Sequence, residues 1–239
     1  MLQLQNVSVS YGSIDAIVNI DIEVPKGKIV ALIGSNGAGK STVLKSISGI
    51  SSIKQGTIRY EEMNISSLSI EKRAQMGIGH VLEGRRVFRN LSIEDNLRLA
   101  IHFRKKMSRK MQDQLIQETY EKFELLGQRK KEKAGGLSGG QLQLLIFAIA
   151  SICKPKILLL DEPSLGLSPL MVKQVYEIVK SFNKEGMTIL LAEQMATFAL
   201  EVADYAYVLD KGSVVKFGET EYLRRDYGKE GLAKAYLGK

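Results

Sequence analysis

The sequence predicts an α/β protein: a doubly wound parallel core, an antiparallel β layer, and a helical insertion in the middle third. Three observations predict it. Continuous apolar runs alternate with helical stretches, as in a parallel sheet covered on both faces. The N-terminal segments alternate apolar and polar residues, the period of a half-buried strand. The middle third carries helical periodicity and no convincing strand.

Leu2 to Tyr11 and Ile17 to Val24 show the alternation, and Pro25, Lys26 and Gly27 mark a turn. Ile29 to Ile33 is continuously apolar and reads as a strand buried on both faces. Lys40 to Ile50 reads as a helix, Thr57 to Tyr60 as a short strand, Ser69 to Gln75 as a short helix and Gly77 to Leu82 as a core strand. Ser92 opens a helix to Lys106, with Glu94 and Asp95 in its first turn. A second helix is expected over Lys110 to Leu126, then an apolar stretch from Leu142 to Cys153. Lys156 to Leu160 and Thr188 to Ala192 read as strands around a helix from Pro169 to Lys184. Tyr205 to Leu209 and Ser213 to Phe217 flank Asp210, Lys211 and Gly212, a hairpin signal. The stretch from Gly218 reads as helical.

The 239 residues suit one large domain or a core with an inserted lobe, and 44% hydrophobic with 25% charged residues is ordinary for a soluble globular chain. A single cysteine, Cys153, excludes an internal disulfide framework and reads as a small buried hydrophobe. No secretory signal pattern and no apolar segment of membrane-spanning length is visible, so the expected compartment is the cytoplasm. Net charge is +8, concentrated at Arg104, Lys105, Lys106, Arg109 and Lys110 and at Arg129, Lys130, Lys131 and Lys133. These runs read as solvated faces. No aromatic residues interleave them for base stacking, so nucleic acid is not an expected partner.

The chemistry begins at Gly34, Ser35, Asn36, Gly37, Ala38, Gly39, Lys40, Ser41 and Thr42, directly behind a strand. Glycines let the backbone turn with its N–H groups inward, and the following helix N-terminus adds donors, a cradle for polyanionic phosphate. Lys40 supplies a point charge toward the outer phosphates, and Ser41 is a magnesium ligand. Ile157 to Glu162 reads ILLLDE, with two carboxylates at the C-terminal end of a buried strand, where ligands bind in open α/β sheets. Asp161 is placed to hold magnesium, and Glu162 is the candidate general base for an attacking water.

Phosphate loops occur in many enzymes. Leu137 to Gln141, LSGGQ, just ahead of the ILLLDE strand, is far more specific. With these motifs, the chain resembles the ATP-binding subunits of ABC (ATP-binding cassette) transporters over essentially its whole length. The resemblance implies a P-loop NTPase (RecA-like) core over about 1–83 and 154–239, with a helical subdomain over about 84–153. It implies ATP and Mg2+ as cofactors, and ATP hydrolysis. Ser138, Gly139, Gly140 and Gln141 would bind the ATP held by a second ATP-binding subunit, identical or similar. Tyr11 matches the residue that stacks on adenine. Glu83 stands where many members carry glutamine, a site for magnesium or the membrane partner. Gln194 stands where most carry a histidine on the γ-phosphate; its amide can donate but cannot gain a proton.

Glu83 within LEGRRVF, the SLGLSP segment, the AEQ triplet and the ending AYLG resemble the branched-chain amino acid uptake branch, in its C-terminal ATP-binding (LivF-type) subunits. That implies two transmembrane permease subunits, a solute-binding protein outside the membrane, and a peripheral place on the membrane's cytoplasmic face. Leu82, Leu142 and Ile149 depart from that branch, where proline, glutamine and arginine are usual. Another polar solute, urea or an amide, stays open, as does an ABC protein without a permease. A small-molecule kinase is the rival from another class, and LSGGQ argues against it.

Overall fold

Ile29–Ile33 is fully buried along its length, with alternate side chains entering two separate apolar cores. It is the central strand of the sheet that organises the molecule. The computed structural model describes residues 1–102 and 107–225. In chain order come β1 (Leu2–Tyr11), β2 (Ile14–Val24), β3 (Ile29–Ile33), α1 (Lys40–Ser48), β4 (Gln55–Tyr60), β5 (Met63–Asn64), α2 (Ile70–Gln75) and β6 (Ile78–Val81). Next are α3 (Ile93–His102), α4 (Arg109–Lys122), α5 (Glu124–Gln128) and α6 (Gly139–Ile152). The chain continues with β7 (Ile157–Asp161), α7 (Pro169–Lys184), β8 (Thr188–Glu193), α8 (Ala196–Val202), β9 (Tyr205–Asp210) and β10 (Ser213–Glu219).

Two sheets form. One has four antiparallel strands in the order β2-β1-β4-β5. The other has six strands in the order β10-β9-β3-β8-β7-β6, parallel except for the β9–β10 hairpin. Val30 and Leu32 face a core shared with β1, β2 and α1, while Ala31 and Ile33 face one shared with α3 to α8. The register sets Ile33 beside Glu193 and Asp161 beside Ala192, so the C-terminal ends of β3, β7 and β8 are level. That edge is where the chemistry gathers.

Several expectations hold to the residue, including β3 and α7. Others differ. The helix expected over 110–126 is broken at Phe123, whose φ of −125° and ψ of 66° separate α4 from α5. The short strand β5 and the helix α8 were not expected. Cys153 is only half-buried, at the edge of the larger core. Lys130, Lys131 and Lys133 are exposed, as a solvated face requires, whereas Arg104, Lys105 and Lys106 lie outside the described residues. Residues 220–225 are helical, and the rest of the expected C-terminal helix, with AYLG, lies outside the described residues. Among the described residues no helix is long and apolar enough to cross a membrane.

One buried cation ties α1 to α2 and the loop that precedes it. Arg73, only 3% exposed, donates to the carbonyls of Ser46 (2.6 Å), Ile47 (2.9 Å), Ser66 (2.9 Å) and Leu68 (3.0 Å). The first two belong to the last turn of α1, whose free carbonyls and dipole favour a cation. Arg73→Met strands these acceptors, and we expect a stability loss of about 3 kcal/mol or more in chemical denaturation. A loss under about 1 kcal/mol would show that water replaces the guanidinium at no cost.

Candidate active site

The loop between β3 and α1 is shaped by what surrounds it. A Cβ on Gly34 would lie 2.6 Å from the Leu209 carbonyl oxygen. Gly39 has φ 104°, and a Cβ there would lie 2.7 Å from Ile17 Cγ2 and 2.9 Å from the Ala16 carbonyl oxygen. Only glycine fits, and the loop closes tightly against β2 and β9. Lys40 begins α1 and is 3% exposed. Its ammonium donates to the carbonyls of Gly34 (2.9 Å) and Ser35 (3.1 Å) and pairs with Glu162 at 3.1 Å. Ser41 Oγ donates to Asp161 Oδ1 at 2.8 Å.

Four residues singled out in the sequence therefore meet in two contacts across the sheet edge. A phosphate group reaching Lys40 would compete with Glu162 for the ammonium and so free that carboxylate. Glu162 has φ 45°, a left-handed conformation that costs a side-chain-bearing residue about 1 kcal/mol, and its N–H donates to the Ala192 carbonyl at 3.0 Å. The turn carries Glu162 out of line with Asp161. Burial raises the Asp161 carboxyl above its ordinary value, and the Ser41 hydroxyl partly offsets this.

The donors suit magnesium: hard oxygens, a buried carboxylate that a cation would hold ionised, and a hydroxyl already beside it. Among the described residues no three His, Cys, Asp or Glu cluster as a complete metal cage. That fits an ion held by one or two carboxylates, with a hydroxyl, together with substrate phosphates. Glu83 is exposed and lines a cavity of about 510 Å³ that also includes Asp161, Glu162, Arg85, Gly139 and Gln143. Residues 34–42 do not line that cavity.

Tyr11 ends β1 opposite Ile14, is 48% exposed, and shares a 2.7 Å hydrogen bond with Ser51 Oγ. Its ring is half open to solvent. Gln194 follows β8 and is half-buried. Ser138 caps α6 in a reciprocal capping box, its Oγ accepting from Gln141 N while Gln141 Oε1 accepts from Ser138 N at 3.0 Å. Arg129 donates to the same Gln141 oxygen at 2.9 Å. Gly140 packs on Met171, where a Cβ would stand 2.8 Å from the side chain.

Two residues escaped the sequence reading. Glu193, 2% exposed, accepts from the Ser164 backbone N–H at 3.3 Å, and burial raises its carboxyl. It joins the loop after β7 to the residue preceding Gln194. Arg85 donates to the Leu165 carbonyl at 2.5 Å, joining the loop after β6 to the same segment. Neither pairing leaves a local sequence signal, because each spans distant parts of the chain.

The family profile described as ABC transporter matches residues 17–165, more than half the chain. The chain belongs to the ABC transporter family. It is an ATP-hydrolysing cassette that binds ATP and ADP. The chain is 43% identical over 215 residues to the high-affinity branched-chain amino acid transport ATP-binding protein BraG of Pseudomonas aeruginosa, covering 90% of this chain and 91% of that one. It is 35% identical to the probable LivF of Archaeoglobus fulgidus, covering 93% and 94%. The glutamate transport ATP-binding protein GluA of Corynebacterium glutamicum is 32% identical, covering 100% and 98%. Among solved structures, an ATP-binding subunit of an ABC transporter superposes with a TM-score of 0.84 at 26% identity, covering 100% and 98%. A dimeric cassette in a post-hydrolysis state with ADP and Pi superposes with a TM-score of 0.82 at 25% identity, covering 92% and 99%. ABC cassettes act as dimers with membrane permeases.

Proposed function

We propose that this cassette powers uptake of branched-chain amino acids. The observation that carries the reading is the 43% identity to BraG across nine-tenths of both chains. The relative named for glutamate transport is more distant, at 32%. The partners are a second ATP-binding subunit, two permease subunits and, indirectly, a solute-binding protein. The cassette sits peripherally on the cytoplasmic membrane face. The core covers about 1–83 and 154–239, and the helical subdomain about 84–153 carries the motion to the permeases.

In this reading the loop from Gly34 to Thr42 holds the phosphates, and Tyr11 lies against adenine. Ser41, Asp161 and Glu83 would hold magnesium, which would supply charge neutralisation on the phosphate oxygens. Glu162 accepts the proton of the attacking water, and Gln194 donates its amide to the γ-phosphate. Ser138, Gly139, Gly140 and Gln141 close over the nucleotide of the second subunit. The cavity that Gly139 lines does not include residues 34–42, and this separation of the two motifs supports a two-subunit site. Bound ATP bridges two surfaces and favours the closed pair; hydrolysis removes that preference.

The test is reconstitution with the cognate permeases and binding protein in vesicles. ATP-dependent uptake of labelled leucine, isoleucine and valine is expected, with glutamate as the comparison solute. ATP turnover stimulated by a different solute, with no leucine uptake, overturns the assignment of cargo.

A further inference from the structure

Two positive features stand side by side in the cavity at the start of α6. The first is the N-terminus of α6, the positive end of its dipole, whose first turn holds no acidic residue. The second is Arg85. Its Nη1 lies 2.9 Å from where a Cβ on Gly139 would stand, so the guanidinium touches the first residue of α6. Cations are disfavoured at a helix N-terminus, since both carry positive charge. Among the described residues Arg85 makes one hydrogen bond, to the Leu165 carbonyl, and no carboxylate lies within 4.0 Å. Of the acids lining the cavity, Asp161 is hydrogen-bonded to Ser41 and Glu162 pairs with Lys40; Glu83 forms no ion pair with Arg85.

The backbone holds the guanidinium in this place. Gly84 has φ 95° and Arg85 φ 50°, consecutive left-handed residues, the second costly for a side chain. A planar fork with further donors, fixed against a helix N-terminus, has the geometry for phosphate oxygens. We propose that Arg85 is a phosphate ligand in trans: its guanidinium joins the N-terminus of α6 in gripping the outer phosphate of ATP held by the second subunit. The proposal rests on the paired-subunit reading above. In the closed pair, charge that is unfavourable in the single subunit becomes the charge the nucleotide neutralises. Arg85 thereby makes closure depend on ATP.

The test uses full-length chain carrying Glu162→Gln, in which the closed pair accumulates. Arg85→Gln keeps an N–H donor for the Leu165 carbonyl and removes the charge. It should raise the ATP concentration needed for pairing about tenfold or more, while binding of fluorescent ATP to dilute single subunits is unchanged. Arg85→Lys should lose less. Mixed pairs with intact Glu162 then assign the subunit. With Lys40→Ala in one subunit and Arg85→Gln in the other, one complete site survives; with both changes in one subunit, none does. Faster turnover in the first arrangement is the expected result. Equal pairing by Arg85→Gln and its parent, or faster turnover when both changes share a subunit, overturns the proposal alone. If the Glu162→Gln chain fails to pair in ATP at all, the paired-subunit reading falls and this proposal with it.

Discussion

We expect Glu162→Gln to lower ATP turnover by roughly 10²-fold or more, to leave ATP binding intact, and to trap a closed pair. The contacts of Glu162 support the first two outcomes. Glu162 is the only carboxylate in contact with the Lys40 ammonium among the described residues, at 3.1 Å, and lies at the strand end beside Asp161. An amide keeps the shape and can still accept from Lys40, but it does not take a proton from water at neutral pH. The ammonium keeps its two backbone carbonyls, at 2.9 and 3.1 Å, and yields more readily to phosphate once its anionic partner is gone. Affinity for ATP therefore holds or rises while the chemical step slows. Phosphate release and gel filtration with ATP and magnesium measure both. Turnover within a few-fold of the unaltered protein would assign the base elsewhere.

Gly39→Ala damages the same site through the backbone. The new Cβ overlaps Ile17 Cγ2 at 2.7 Å and the Ala16 carbonyl at 2.9 Å, and φ of 104° is itself strained for any L side chain. The side chain of Ile17 has some room to shift; the Ala16 carbonyl belongs to β2 and has little. We expect a stability loss of about 2–4 kcal/mol and ATP affinity down by about 10²-fold, because the loop gives way before the sheet does. Gly186→Ala is the control. It too has positive φ, 91°, yet a Cβ there meets nothing within 4 Å, so only backbone strain of about 1 kcal/mol is expected, with ATP binding unchanged. Thermal denaturation and fluorescent-nucleotide titration distinguish the two. Unaltered affinity in Gly39→Ala would mean the loop does not need its contact with β2.

Much of this was legible in the chain. β3 announces itself because burial on both faces requires an unbroken apolar run, and α7 because Ser168 caps it and Pro169 opens it. The phosphate loop and the ILLLDE strand end were readable because their spacing is local. What the sequence concealed depends on distant partners. Phe123 leaves helical geometry without a glycine or proline to mark it. Met63–Asn64 is a strand only through pairing with Arg59 and Tyr60. The Lys40–Glu162 ion pair follows from strand order and register, which no local pattern encodes. Glu193 looks like any strand-end acid until the fold buries it under Ser164.

The place of β3 has a bearing on how the molecule is made. This strand comes from the first part of the chain, but its neighbours on both sides, β8 and β9, come from the last. A ribosome must reach β8 and β9 before the middle of the sheet gains either edge. The β1–β2 hairpin has its partner within reach from the start. Nascent chains therefore carry both edges of Ile29–Ile33 unpaired until then, and closure is late and slow by the logic of long-range contacts.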